Sequence, residues 1–231
     1  MKNVFITGAD RGIGQALTVE FLSHGYYVYA GQFMPEWPDL EKLKETYPET
    51  LQIIPLDVSS TESVKNAYEQ IRQMTDRIDL LVNVAGISGT MEPEKVKQTY
   101  DVNAVGAIRM VDTFLPLMET GEKELCFVSS EAGSIALSDR DDMEHWLAYC
   151  SSKSMLNMAI RLMFNELNEK GSKFRVYHPG GVNGYMSGKK GTGSDYEPEE
   201  TAKVAFRQFV TERSFEDVLI LSDVEDTIWA F

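Results

Sequence analysis

Seven short runs of β-branched, aliphatic and aromatic residues punctuate the chain: "NVFIT", "YYVYA", "LQIIPL", "IDLLVNVA", "ELCFVSS", "FRVYH" and "DVLIL". Longer segments with apolar residues at helical spacing separate them, so the pattern predicts strands alternating with helices. Within each run the apolar residues are nearly continuous rather than alternating. That suits strands buried on both faces of a parallel sheet, with βαβ connections supplying the cover. The expectation is an α/β fold: a single Rossmann-type doubly wound domain over residues 1–231, with a seven-stranded parallel sheet and helices on both faces.

Composition fits this picture and removes several function classes. At 231 residues, 43% apolar and 25% charged, the chain has the make-up of one globular domain, and no Pro/Gly/Ser linker divides it. A formal charge of −14 argues against a general nucleic-acid or anionic-membrane surface, which needs clustered Lys and Arg. The opening "MKNVFITGAD" runs straight into a strand-like segment, and no uncharged stretch is long enough to span a bilayer, so a cytoplasmic protein is expected. Cys126 and Cys150 read as thiols rather than a disulfide framework, and His24, His145 and His178 lack metal-ligand spacing, so no metal site is expected.

In doubly wound sheets ligands bind beyond the carboxyl ends of the strands. The first such loop is "TGADRGIG", Thr7 to Gly14, between a strand and a helical segment. Gly8, Gly12 and Gly14 would permit a tight turn and let backbone and helix N-terminus approach a pyrophosphate; the bland alternative is a glycine-rich turn that binds nothing. "NVAG", Asn83 to Gly86, follows the fourth run, where the Asn83 amide can cross-link neighbouring strands and Gly86 allows close approach. Asn103 falls inside a segment that should be helical, where asparagine is an indifferent former; a kink or a held water would justify it, as would simple exposure. In "AYCSSKSML", Tyr149 and Lys153 are four apart and share a helix face, which alone fits an ordinary surface pair.

Taken in order, "TGADRGIG", "NVAG", Asn103, "VSS" with Ser130 and "YCSSK" resemble the short-chain dehydrogenase/reductase family, most of all its C-factor and carbonyl reductase-like branch. The resemblance covers almost the whole chain. It implies hydride transfer between a nicotinamide and the carbonyl or alcohol carbon of a small molecule, with Asn103, Ser130, Tyr149 and Lys153 as the catalytic set. Tyr149 would donate or accept the proton, and a free phenol with a pKa near ~10 needs a neighbouring cation for this. Lys153 would stabilise the phenolate and reach the nicotinamide ribose, Ser130 would bond the substrate oxygen, and Asn103 would retain a water relaying protons to Lys153. The family uses the second serine of "VSS", and Ser129 should face the other way.

The resemblance also implies a cofactor set: Gly8, Arg11, Gly12, Ile13, Gly14, Gln32, Asp57, Val58, Asn83, Ala85, Gly86, Tyr149, Lys153, Pro179, Gly180 and Val182. Gln32 stands at the end of the second strand, where NAD-selective relatives carry an acid, and Arg11 stands where related reductases meet a 2′-phosphate. NADP is therefore expected, with NAD as the alternative, although Phe33 replaces a second basic residue. Asp57 and Val58 match the positions flanking adenine, and Val182 the position whose backbone meets the carboxamide.

Two departures qualify the match. Ser130 and Tyr149 are 19 positions apart, roughly six more than the usual spacing, so "LSDRDDMEHW" should form an enlarged loop that governs substrate choice. Its acids are either solvated or exclude anionic substrates. Gly184 stands where many members carry a threonine that bonds the cofactor, and "GYMSGKKGTGSDYEPEE" reads as a lid before the helix "ETAKVAFRQFV", with Tyr185 and Met186 lining the pocket or merely packing. A nucleotide-binding regulator or scaffold with little turnover is the alternative function. An extended-family epimerase would need more chain after the sheet. Relatives form homodimers or homotetramers through the helices that correspond to "NAVGAIRMVDTFLPLM" and "YCSSKSMLNMAIRLMFNEL".

Overall fold

The computed structural model describes residues 1–231 apart from Ser138, Arg140, Ser187 and Phe215. Strands form where the apolar runs lie: β1 Asn3–Ile6, β2 Tyr27–Gln32, β3 Leu51–Pro55, β4 Leu80–Asn83, β5 Glu124–Val128, β6 Lys173–His178 and β7 Leu221–Asp223. All pair in parallel, in the order β3-β2-β1-β4-β5-β6-β7. An eighth strand, β8 Ile228–Trp229, adds antiparallel to β7. It was not expected, because two residues carry no periodicity to read. The seventh run also pairs later than its apolar residues suggest: Val218 is 52% exposed, and pairing begins at Leu221.

Period-two alternation divides the strands between two cores. Phe5, Leu81, Leu125 and Phe127 face one layer with α3 Thr61–Arg72, α5 Gly106–Met118 and α6 Met143–Leu167. Val4, Ile6, Val82, Cys126 and Val128 face the other, with α1 Gly12–Ser23, α2 Asp39–Thr46 and α7 Pro198–Val210. The remaining helix, α4 Pro93–Tyr100, runs into a π-helical turn at Asp101–Val105 that continues into α5. Helix starts follow their local chemistry: Ser60 caps α3 by accepting from Ser63 N, and at α7 the backbone N–H of Glu197 donates to Glu200 at 2.8 Å.

Not all of α6 is spent on the sheet, since Met158 and Leu162 are 61% and 60% exposed. Among the described residues no helix is long and apolar enough to cross a membrane. Strand order reverses beside β1, which places the β1, β2 and β4 ends around one crevice, with β5 and β6 beyond it.

Candidate functional site

The glycine loop takes the conformation its residues allow. Gly8 and Gly12 have φ of +65° and +59°, a region that side chains disfavour. A Cβ on Gly14 would lie 2.1 Å from the Gly8 carbonyl oxygen, and one on Gly8 2.8 Å from Ala85 Cα. Arg11, the residue before α1, is extended, and no side chain caps the helix. The N–H groups of Gly12, Ile13 and Gly14 therefore lie in the uncapped first turn, at the positive end of the helix dipole.

Two neighbouring strand ends, those of β4 and β2, are tied to this loop. Thr7 Oγ accepts from Val84 N and Ala85 N at 3.0 and 3.1 Å, Ala9 N donates to Gly31 O at 3.0 Å, and Asp10 accepts from Phe33 N and Met34 N. Sequence reasoning passed over Thr7 and Asp10. The usable signal was a hydroxyl and a carboxylate inside a turn, both of which bond local backbone.

Two buried polar atoms beside the loop have no partner: Gln32 Nε2 and Asn83 Oδ1. Such groups are costly unless something bonds them, and both were expected to face a cofactor. Together with the glycine cradle they fit a dinucleotide. Asn83 does cross-link strands, its amide donating to Cys126 O at 3.4 Å. Asp57 turns one oxygen to Ser59, accepting from its N at 2.9 Å, and Val58 is buried, its carbonyl accepting from Arg109. Gly86 lies against Asn103.

Tyr149, half-buried, and Lys153 share a face of α6, with the Lys153 ammonium 5.8 Å from the Tyr149 ring centroid. Lys153 is only 4% exposed and donates to Val128 O, at the end of β5, at 2.9 Å. Burial pulls its pKa down from 10.5 to about 8. Trp146, one turn earlier, meets Tyr149 edge-on with centroids 6.1 Å apart. Ser130 accepts from Ala132 N at 3.1 Å, whereas Ser129 is turned away and donates to Asn157.

Asn103 sits in the π turn, so the expected kink is a change of helical register. It exchanges bonds with Ile87, N–H to Oδ1 at 2.8 Å and Nδ2 to O at 2.9 Å, and also donates to Ser152 Oγ at 2.9 Å. Its two amide protons thus tie the β4 loop to α6 between Tyr149 and Lys153.

Beyond β6, Pro179 O accepts from Thr201, Gly180 adopts φ +73°, and Val182 bridges to Tyr196. Gly184 N donates to Val182 O at 2.7 Å, and a Cβ at Gly184 would meet nothing closer than that oxygen at 3.9 Å. The following segment is a strap more than a loose lid: Asn183 bonds Ser194 and Glu197, and Gly191 N closes onto Gly184 O. Of the enlarged loop, Ser138 and Arg140 lie outside the described residues, as does Ser187 of the strap. Asp142 caps α6 and pairs with His145 at 2.8 Å, a bond that lowers the carboxyl pKa and raises that of the imidazole.

The family model described as short chain dehydrogenase matches residues 2–195. The chain belongs to the short-chain dehydrogenase family. Estradiol 17-beta-dehydrogenase 2 of Rattus norvegicus is 30% identical over 206 residues, covering 86% of this chain and 52% of that enzyme. The chain therefore spans about half the length of the first curated relatives it matches.

Among solved structures, NADPH-bound carbonyl reductase from chicken fatty liver superposes with a TM-score of 0.87 at 24% identity, covering 100% and 99% of the two chains. At that identity the likeness speaks for the fold alone. A carbonyl reductase from Pseudomonas aeruginosa PAO1 gives 0.80 at 27%, covering 100% of both. The candidate residues lie at or after the carboxyl ends of β1, β2, β3, β4, β5 and β6, or on α6 and the π turn.

Proposed function

We propose that the chain is an NADP(H)-dependent oxidoreductase interconverting a small carbonyl compound and its alcohol. The observation that carries this reading is the buried Lys153 ammonium, 4% exposed and 5.8 Å from the centroid of the Tyr149 ring. When bound, the nicotinamide supplies or receives the hydride.

The chain's own residues manage the oxygen and its proton. In reduction the Tyr149 hydroxyl gives its proton to the carbonyl oxygen, and Lys153 stabilises the phenolate left behind. Ser130, whose oxygen already accepts from Ala132 N, has its own hydrogen available for the substrate oxygen. Asn103 holds the β4 loop against α6 and so keeps Tyr149 and Lys153 in register with the crevice. Gln32, Arg11 and the glycine loop, with no acid at the end of β2, favour NADP over NAD.

The test is a panel of neutral aldehydes, ketones and diketones offered with NADPH to the purified protein. Carbonyl-dependent loss of NADPH absorbance is expected, and a cofactor-binding protein that reduces none of them would support the regulator reading instead. The open space at Gly184 is the observation that favours that second reading. It also yields an expected gain: at Gly184 an added Cβ meets no clash, and a Gly184→Thr hydroxyl that bonds the cofactor should tighten NADPH by about 2- to 10-fold in fluorescence titration. Unchanged affinity would show that position 184 does not face the cofactor.

A further inference from the structure

Arg11 is held by aromatic side chains from two segments that are far apart in the chain. Its guanidinium carbon lies 5.1 Å from the Trp37 ring centroid and 5.6 Å from that of Tyr185. The two rings meet edge to face at 5.2 Å, and Arg11 Nη2 donates to Tyr185 O at 3.3 Å. A guanidinium has five N–H donors in a fixed plane. One is used here, and among the described residues no carboxylate forms an ion pair with it. The cation is therefore held in place with one of its donors bonded to a described residue.

Each wall of this clamp is itself anchored. Trp37 Nε1 donates to Asp39 at 2.8 Å, and Trp37 N donates to Met34 O at 2.9 Å. The turn that carries it is pinned to the glycine loop by Asp10, whose carboxylate accepts from Phe33 N and Met34 N. Asp10 is thus occupied by backbone amides. Tyr185 comes from the strap, and its ring lies 3.8 Å from where a Cβ on Gly12 would be.

We propose that Trp37 and Tyr185 are positioning residues that clamp the Arg11 guanidinium for the 2′-phosphate of NADP, and so set the preference for the phosphorylated cofactor. This rests on the NADP reading above. A free arginine loses side-chain entropy when it grips a phosphate; one already held against two rings has lost much of it before the ligand arrives. The clamp also links the adenosine end of the crevice to the strap that follows β6, because Tyr185 belongs to both.

Dissociation constants of the full chain for NADPH and NADH, measured by fluorescence titration, test this with Arg11→Ala as reference. Arg11→Ala should weaken NADPH far more than NADH. Trp37→Leu and Tyr185→Leu should each weaken NADPH by about 3- to 10-fold with little change for NADH, and Trp37→Phe should restore most of the difference. Both positions are half-buried, and NADH binding reports that each variant has folded. If Arg11→Ala loses the NADPH preference while both leucine variants keep it, the clamp is overturned and the NADP reading stands. If Arg11→Ala keeps the preference as well, phosphate recognition by Arg11 falls, and the clamp with it.

Discussion

Replacing Tyr149 by phenylalanine lowers turnover by about 10²- to 10⁴-fold, the usual contribution of a positioned general acid, and leaves NADPH affinity nearly unchanged. The substitution deletes one oxygen and keeps the ring. The edge contact with Trp146 and the position of Lys153 beneath the ring are retained, so the packing of α6 is undisturbed. Steady-state rates and cofactor titration on the same preparation separate chemistry from binding. Retained turnover would remove the proton-transfer role of Tyr149; loss of both activity and cofactor binding would point to a folding defect in α6.

Lys153→Met should also abolish turnover, yet yield a more stable protein. In the folded chain the ammonium is 4% exposed and its pKa is about 8, against an ordinary 10.5. Between those values the unfolded chain keeps a proton that the folded chain has released, so stability rises with pH across that window. At neutral pH the buried cation therefore costs about 3 kcal/mol, of which losing its bond to the Val128 carbonyl would take back roughly 1 kcal/mol. Methionine has a similar length and no charge to desolvate. Urea denaturation at pH 7 should show the variant about 1–3 kcal/mol more stable, and the gap should narrow toward pH 10. A variant less stable than the parent at pH 7 would mean that the ammonium supports the fold and does not burden it.

The parts of the fold that could be read from the sequence were those set by local chemistry. The strands came from continuous apolar runs, and the glycine loop from three glycines, two of which do adopt positive φ. Ser129 and Ser130 separate as strand alternation requires. Asn103, a poor helix former, marked a true irregularity.

The parts that escaped depend on contacts between distant segments. Arg11 and Tyr185 are 174 positions apart, and nothing near Trp37 in the chain hints that its ring would stack on the glycine loop. Asp10 was read as one letter of a motif, although its carboxylate holds the next strand's turn in place. The two-residue β8 is visible only once β7 gives it a partner.

The π turn at Asp101–Val105 has a cost and a beneficiary that lie in different places. Such a turn holds one residue more than an α turn. Excising a single residue there would let α4 and α5 join as one unbroken α-helix with better hydrogen bonding. It would also swing Asn103 by about 100° around the axis, away from Ile87 and Ser152. A one-residue insertion in a helix is thus what fastens the β4 loop to the helix bearing Tyr149 and Lys153, and a deletion that improved the helix would undo the site.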